Sequence, residues 1–418
     1  MRRLLAVTLV VGVLFIGTSG CDSSATCASA SCNGTCVNLD LDPSNCGTCG
    51  LACANGACAG GGCVIAADEH PESDLIVAGD ELVFVESSTV VAFSTTGAMP
   101  RIVLTNVASE IGVAGGRVFW TRSSGAGAPP LFSASLAATT DAKSGGAAVA
   151  LPDTHTNPVV TVLGATGPEV FVLYQADGTG SGVYSLDATD SKAVWKLEVP
   201  IDSATIGLVT PGALLRAFPT STDLWFTLSQ TLAPFASLYH CKRGACAPQR
   251  IGSGAVLGYN PVRASAVGSD LYWLESDDAR APPGEDVVEL YHAGPDGEER
   301  SIAVFAKLAC EKSAYDGNCF GQGTMGLTTT SDGRIYSNVG GTLRVSAAAT
   351  SSATAIPDGN ALPTVTSDVR SECNIAADAN SLYYCVRRQV DKDWTVNDTA
   401  VNGSDDTPSP FVIVARAR

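Results

Sequence analysis

The sequence predicts an all-β protein, namely a β-propeller of seven blades preceded by a small disulfide-rich module. Three observations predict this fold class. A turn-and-strand unit recurs seven times along the 418 residues. Gly is frequent, at 43 copies, while charged residues make up only 16% of the chain, which is typical of a β-rich fold with many tight turns. Eight of the 15 Cys residues fall within residues 27–63, as in small domains held together by disulfides.

Composition and charge exclude several classes of function. The hydrophobic fraction of 45% is too high for a disordered protein. The net charge of −17 excludes nonspecific binding to nucleic acid, because that binding depends on Lys and Arg neutralising phosphates. The same charge is repelled by anionic lipid headgroups, so we expect any attachment to a membrane to be hydrophobic or covalent.

Residues 1–20 have the pattern of a secretory signal peptide. Arg2 and Arg3 give a cationic start, and a mainly apolar run of 13 residues follows at 4–16. A membrane-spanning helix needs about 20 apolar residues, so this run is too short to span a bilayer. We therefore predict that the segment directs export.

The end of this segment, Thr18-Ser19-Gly20-Cys21, resembles the lipobox of bacterial lipoproteins. The resemblance implies lipidation of Cys21 and cleavage before it, with residues 21–26 as a tether. Ser19 and Gly20 match the pattern, whereas Thr18 stands where Leu is usual. An ordinary signal peptide followed by a coincidental Cys is left open, as is the choice of membrane and leaflet.

The Cys count agrees with one lipidated residue. Setting Cys21 aside leaves 14, an even number in an exported chain, which favours disulfides. Eight form the block Cys27, Cys32, Cys36, Cys46, Cys49, Cys53, Cys58 and Cys63. The other six form three sequence-neighbouring pairs that would each close a small loop: Cys241 with Cys246, Cys310 with Cys319, and Cys373 with Cys385.

Residues 27–63 form the predicted Cys-rich module. The segment has no aromatic residue and cannot bury a core, so cross-links must hold it together. Cys46 and Cys49 form a CxxC motif, but the block contains no His and lies in an exported chain, which favours disulfides over a zinc or redox site. The order of residues in 36–53 resembles a Cys-rich repeat of exported myxobacterial proteins. That resemblance implies a spacer or adhesion module without activity, and the disulfide pairing within the block is left open.

Residues 64–418 carry the repeat. Its heart is a Gly-, Asp- or Asn-containing turn followed by a strand of large apolar and aromatic residues. The seven copies begin at Gly79, Gly115, Gly167, Ser221, Gly268, Ser331 and Ala379. They recur on average every 50 residues, close to the length of a four-stranded propeller blade, and we expect their aromatic residues to pack between neighbouring blades.

A second strand follows each copy and is expected to pair with it. These strands lie near Val90, Leu131, Val183, Leu238, Leu290, Leu343 and Val412. The chain ends after the third strand of the last unit, so we expect residues 63–67 to supply the missing fourth strand and close the ring. The pattern resembles the propellers of exported bacterial proteins. A pair of β-sandwiches, and rings of six or eight blades, remain alternatives.

The sequence shows no catalytic constellation, metal site or phosphate-binding loop. The four His residues are His70, His155, His240 and His292; the last two occupy the same repeat position, which favours repetition over a shared metal site. Acidic loops containing Asp277-Asp278, Glu285-Asp286, Asp391-Lys392-Asp393 and Asp405-Asp406 leave a weak calcium hypothesis, although none has the ligand spacing of a known calcium loop.

The sequence therefore favours a lipid-anchored protein of the cell envelope, periplasmic or at the cell surface, that acts as a noncatalytic binding module. A protein or glycan ligand at one propeller face is expected, with the insertions at 277–287 and 390–409 as the first places to look. The alternative is a lyase or hydrolase acting on an extracellular polymer, which would need a convergent cluster of His, carboxylate or Arg at the ring centre. A purely structural envelope protein is the third hypothesis.

Overall fold

The computed structural model describes most of the repeat region and the Cys-rich module. The described residues are 30–39, 41–54, 56–59, 61–69, 71, 73–95, 101–105, 107, 110–121, 131–137, 146–152, 158–175, 180–190, 194–201, 214–229, 236–251, 263–276, 285–295, 299–309, 325–339, 342–347, 375–387 and 411–417. Their regular secondary structure consists of β-strands. Nowhere in these ranges does a helix reach the length and apolarity needed to cross a membrane.

Four strands precede the first blade. These are β1 (Ala30–Cys32), β2 (Thr35–Val37), β3 (Cys58–Ala59) and β4 (Gly62–Glu69). β1 and β2 form a two-stranded hairpin. β4 starts inside the predicted Cys-rich module and continues into the propeller, so one strand crosses the boundary placed after residue 63.

Six antiparallel sheets follow in chain order and form blades 1 to 6. Blade 1 contains β5 (Ile76–Ala78), β6 (Glu81–Glu86), β7 (Thr89–Ser94) and β8 (Arg101–Thr105); blade 2 contains β9 (Ile111–Ala114), β10 (Arg117–Thr121), β11 (Leu131–Ser135) and β12 (Ala147–Ala148). Blade 3 contains β13 (Val159–Thr166), β14 (Glu169–Gln175), β15 (Gly182–Asp187) and β16 (Trp195–Pro200); blade 4 contains β17 (Leu214–Pro219), β18 (Asp223–Ser229), β19 (Ala236–Lys242) and β20 (Gln249–Arg250). Blade 5 contains β21 (Arg263–Val267), β22 (Asp270–Ser276), β23 (Glu285–Ala293) and β24 (Glu299–Ala309); blade 6 contains β25 (Met325–Thr329), β26 (Arg334–Val339) and β27 (Thr342–Ala347).

Blade 7 joins the two ends of the chain. It combines β28 (Ala376–Ala377), β29 (Ser381–Arg387) and β30 (Phe411–Ala417) with β4 and β3. β30 pairs antiparallel with β4, with Ala415 opposite Cys63 and Val414 opposite Val64. The predicted closure of the ring is confirmed, and the seven-bladed propeller is the fold of this chain.

The repeat seen in the sequence corresponds to the middle of each blade. Its seven copies are the second strands β6, β10, β14, β18, β22, β26 and β29, and the strands that echo them are the third strands β7, β11, β15, β19, β23, β27 and β30. These strands read as continuous apolar runs because both of their faces are buried between blades. In β6, for example, Leu82 and Phe84 pack towards blade 7, whereas Val83 and Val85 pack towards blade 2.

Aromatic side chains fill the spaces between blades, as the sequence predicts. Trp225 of blade 4 packs in one cluster with Trp273 and Tyr291 of blade 5, and the last two rings stack with their centroids 5.4 Å apart. Offset stacking of this kind adds about 0.5–1.5 kcal/mol beyond the burial of apolar area. The large residues of the repeat therefore set the spacing between neighbouring blades.

Disulfides hold the Cys-rich module together and join it to blade 7. The bonds that join two described residues are Cys32–Cys49, Cys46–Cys58, Cys53–Cys63 and, in blade 4, Cys241–Cys246. The CxxC residues Cys46 and Cys49 bond different partners, so they form neither a redox pair nor a zinc site. The sulfur atoms of Cys46, Cys53 and Cys63 cluster together, but all three are consumed by disulfides.

Candidate functional site: the central channel

The first strands of the seven blades line a channel along the propeller axis. These inner strands are β5, β9, β13, β17, β21, β25 and β28, and each one contacts the inner strands of both neighbouring blades. They enclose a cavity of about 900 Å³. Polar and apolar surface contribute about equally to its walls, and Val77, Val113 and Leu327 are among the aliphatic lining residues. A concave cavity in which a few polar groups stand among apolar ones is the usual form of a ligand site.

One face of the ring carries the beginnings of all inner strands, and we term it the entry face. Because the strands within a blade are antiparallel, each second strand ends and each third strand begins at this same face. The insertions after β22 and β29, which the sequence singled out, therefore leave and rejoin the ring at the entry face. Residues 277–284 and 390–409 themselves lie outside the described residues.

Among the described residues, three charged side chains line the cavity: Asp74, Glu110 and Arg216. Asp74 lies two residues before β5, Glu110 lies directly before β9, and Arg216 is the third residue of β17. All three positions are near the beginnings of inner strands, so the charges gather at the end of the channel nearest the entry face.

An ion pair spans the channel. Arg216 Nη1 of blade 4 donates a hydrogen bond of 2.8 Å to Asp74 Oδ2. Asp74 belongs to the segment that enters blade 1, on the other side of the ring. Each side chain is 29% exposed, so water of the channel reaches both. The pair fixes the guanidinium in place and neutralises its charge locally.

The side chain of Glu110 is exposed to the water that fills the channel, and the channel walls lie around it. Burial among these walls raises the pKa of Glu110; the positive charge of Arg216 opposes this rise, and the negative charge of Asp74 adds to it. Within the part of the chain that the structure describes, its carboxyl group forms no hydrogen bond. Glu110 therefore holds a proton more readily than an ordinary Glu, and its carboxylate can accept a hydrogen bond from a ligand.

The sequence prediction missed this cluster. Asp74 and Glu110 stand in polar segments that have no motif, and only the ring brings them near Arg216, which is 142 residues from Asp74. One signal was present, namely a charged residue inside the apolar strand 214–219. Such a residue must face either solvent or a partner, and here it faces the channel.

The repeated His residues have structural roles. His240 Nε2 lies 2.7 Å from Asp223 Oδ1 in blade 4, and His292 Nε2 lies 2.8 Å from Asp270 Oδ1 in blade 5. Each His thus bonds the Asp that opens the second strand of its own blade. Asp223 is fully buried; although burial opposes it, hydrogen bonds from Lys242, Thr222 and His240 hold its pKa below the ordinary value.

A second ionic network joins blades 3 and 4. Arg243 binds both carboxylate oxygens of Glu169, at 2.7 and 2.8 Å, and also Glu198 Oε1 at 2.9 Å. Its guanidinium lies over the ring of Phe171, with 4.9 Å between the guanidinium carbon and the ring centroid. The side chain of Glu198 is fully buried and also accepts hydrogen bonds from Ser185 and Lys196. These residues lie away from the channel and hold two blades together.

Several predicted sites lie outside the described residues: Cys21, Cys27, Cys310, Cys319, Cys373, His70, His155, and the acidic segments at 277–278, 391–393 and 405–406. Cys36 and Cys385 are disulfide-bonded as well. Glu285 and Asp286, assigned to a loop from the sequence, belong to strand β23. Their place in a strand removes them from the loop geometry on which the calcium hypothesis depends.

Comparisons with known proteins find the fold and no family. No protein-family model matches the chain, and no curated protein sequence matches it. Among solved structures, a puromycin-hydrolysing peptidase of Mycobacterium tuberculosis is similar at 15% identity and a TM-score of 0.45, over 77% of this chain and 50% of that one. This chain thus spans half the length of the peptidase.

Two further structures are similar at lower scores. The propeller domain of the trilobed protease from Pyrococcus furiosus matches at 10% identity and a TM-score of 0.40, over 76% of this chain and 91% of that one. An oligogalacturonate lyase matches at 10% identity and a TM-score of 0.35, over 65% and 75%. Likeness at this level concerns the β-propeller fold alone, which hosts many unrelated functions.

Proposed function

We propose that the protein is a membrane-anchored extracytoplasmic lipoprotein and a noncatalytic binding module whose ligand enters the central channel from the entry face. The observation that carries the proposal is the cavity of about 900 Å³, into which Glu110 and the Asp74–Arg216 pair project. The long insertions of blades 5 and 7 start and end at the same face, where they can contact a protein or glycan larger than the channel.

The proposed location is supported by the signal-like segment before Cys21 and by the disulfides of the Cys-rich module. Disulfides form and persist in oxidising, extracytoplasmic compartments. The module is bonded to β4 through Cys63, so an anchor at Cys21 would hold blade 7 nearest to the membrane.

A second function, that of a lyase or hydrolase acting on an extracellular polymer, is favoured by one observation. Carboxylates and an Arg converge near the ring axis, and the pKa of Glu110 is raised, as expected for a group that transfers a proton. Against this, Asp74 is held by Arg216, so the described lining residues leave one carboxyl group where glycoside hydrolysis ordinarily uses two. We therefore place binding ahead of catalysis.

The test uses the soluble form, residues 22–418, and a panel of envelope glycans, extracellular polymers and peptides. Binding is followed by calorimetry, and each mixture is then analysed by chromatography for cleavage products. The double variant Glu110→Gln/Arg216→Gln tests the channel, and Arg334→Gln on the surface of blade 6 is the matched control.

A ligand that binds the wild type and the control, loses at least tenfold in affinity for the double variant and is recovered intact supports the binding function. Cleavage products formed by the wild type but not by the double variant would establish the enzyme instead. Equal binding by all three proteins would place the ligand site outside the channel and contradict the proposal.

The anchor is tested separately in a bacterial host that processes lipoproteins. The full chain should incorporate a radiolabelled fatty acid and partition with membranes, and Cys21→Ser should do neither. Labelling that persists in Cys21→Ser would contradict lipidation at this residue.

A further inference from the structure

The charges that the described residues bring to the channel do not balance, and the excess negative charge lies on one residue. Of the three charged residues among the lining, Asp74 and Arg216 neutralise each other across a contact of 2.8 Å. Glu110 is left without a hydrogen-bonded partner among the described residues. When it is ionised, the cavity holds one uncompensated negative charge that its walls partly shield from water.

This imbalance favours a cationic ligand over an anionic one. An anion approaching Arg216 would meet the charges of Asp74 and Glu110 and, at longer range, the net charge of −17 of the whole chain. A cation is attracted by the same charges. In the channel, a bound cation also replaces the water molecules that the walls keep away from the carboxylate of Glu110. Electrostatic attraction between the two charges is stronger there than in bulk solvent.

The residues around Glu110 indicate which kind of cation the channel can bind. A calcium ion needs six to eight oxygen ligands, and one free carboxylate does not supply them. A quaternary ammonium group is recognised by several aromatic rings, whereas Phe218 is the single aromatic residue among the described lining residues. A primary ammonium group donates hydrogen bonds to a carboxylate, and the aliphatic walls fit the methylene chain that carries it.

We propose that Glu110 binds the primary ammonium group at the end of an aliphatic chain that enters the channel from the entry face. Two carriers share this chemistry: the side chain of Lys in a partner polypeptide, and a free diamine or polyamine. The inference rests on the proposed binding function of the channel and names the chemical class of its ligand.

Proton release accompanies such binding. Burial within the channel raises the pKa of free Glu110. A bound ammonium group stabilises the ionised form, so complex formation drives a proton into the buffer. Proton release of this kind distinguishes capture at Glu110 from nonspecific attraction to the acidic surface, which leaves Glu110 unchanged.

The experiment titrates the soluble form, residues 22–418, with three probes by isothermal calorimetry. The probes are 1,5-diaminopentane, the acetylated and amidated peptide Ala-Lys-Ala, and a trimethylated form of that peptide. Titrations at a series of pH values from about 4 to 7, each in two buffers of different ionisation enthalpy, give the number of protons released. Glu110→Gln removes the charge with little change in shape, and Glu81→Gln makes the same change at the first residue of β6, at the opposite face of the ring. Melting curves confirm that both variants are folded.

We expect at least one primary amine to bind the wild type and Glu81→Gln alike, with proton release, and to bind Glu110→Gln at least tenfold more weakly. The trimethylated peptide should bind at least fivefold more weakly than the unmodified one. The tighter of the two amine probes identifies the carrier.

Equal binding of the amines by wild type and Glu110→Gln would overturn the inference, as would binding without proton release. If no amine binds but another ligand of the panel loses affinity in Glu110→Gln/Arg216→Gln, the inference fails and the proposed function stands. If no ligand of any class depends on the channel residues, both fail.

Discussion

Arg243→Met tests how the blades are held together. The substitution keeps an unbranched side chain that can pack over Phe171 but removes the cation that joins Glu169 and Glu198 of blade 3 to blade 4. Arg243 is only 7% exposed and the side chain of Glu198 is fully buried, so removal of the guanidinium leaves a carboxylate in the interior without its strongest partner. Loss of one partner from a buried ion pair costs about 3–5 kcal/mol.

We expect a loss near the lower end of that range, about 3 kcal/mol at pH 7.5, because Lys196 still bonds Glu198 at 2.9 Å. The loss should depend on pH. In the wild type, burial opposes the charge of Glu198, but hydrogen bonds from Arg243, Lys196 and Ser185 hold its pKa below the ordinary value of 4.5. Its contribution to stability is therefore present above pH 4.5 and is lost as the pH falls through the lowered pKa. In the variant, Glu198 loses one of the groups that lower its pKa, so its carboxyl group takes up a proton at higher pH than in the wild type and the difference in stability between the two proteins shrinks as the pH falls.

The assay is urea denaturation of the soluble form, followed by Trp fluorescence at pH 7.5 and pH 4.5. The matched control is Arg334→Met, which breaks an exposed pair with Asp332 at 3.4 Å and should cost less than about 1 kcal/mol. A loss for Arg243→Met no larger than that of the control, or one that is the same at both pH values, would refute the role assigned to the network.

Three further predictions concern the closure of the ring and blade 7. Gly47→Ala should destabilise the protein by more than Gly50→Ala. Both positions have positive φ, at +72° and +82°, but a Cβ at Gly47 would lie 2.3 Å from the carbonyl oxygen of Gly61, whereas a Cβ at Gly50 would meet open space. Equal melting temperatures of the two variants would contradict this contact. Cys53→Ser/Cys63→Ser should reduce the free energy of unfolding by about 3 kcal/mol, the value expected for a short loop of this length. Because Cys63 belongs to the closing strand, the melting temperature of the whole propeller should fall in a single transition. A separate early transition with an unchanged main one would show that the module unfolds alone. Tyr383 donates a hydrogen bond of 2.6 Å to Asp378, and burial, followed by this bond, raises the pKa of Tyr383 to about 12. The stabilising effect of the Tyr383 hydroxyl is therefore complete below pH 10 and lost as the pH approaches 12. Tyr383→Phe should lower the stability at pH 8 and reduce the alkaline loss of stability measured by circular dichroism.

The prediction of the fold succeeded because the decisive information is periodic. Strands such as 81–86 and 223–229 are apolar on both faces, and a chain that repeats such strands every 50 residues must stack them as blades. The closure was predictable for a related reason, since an unfinished last blade requires a strand from elsewhere in the chain. What the pattern did not reveal was that β4 begins within the Cys-rich segment and is bonded to it through Cys63.

The channel cluster could not be predicted in the same way. Asp74, Glu110 and Arg216 belong to blades 1, 2 and 4, and their distances depend on the curvature of the ring rather than on any spacing in the chain. For the two repeated His residues, the sequence contained part of the answer. Their shared repeat position was visible in the sequence, but only the structure reveals that His240 and His292 each bond an Asp of their own blade.

The sequence by itself specified the repeated strands and favoured a ring of seven blades with its closing strand, because burial between blades imposes apolar residues on every copy of the repeat. The tertiary structure alone decided which charges meet. A ring of seven sheets brings the first residues of distant strands to one axis, where Glu110 faces the channel without a hydrogen-bonded partner among the described residues while Arg216 and Asp74 neutralise each other. Local patterns specify burial, whereas electrostatic interactions depend on distances in space that only the closed ring defines.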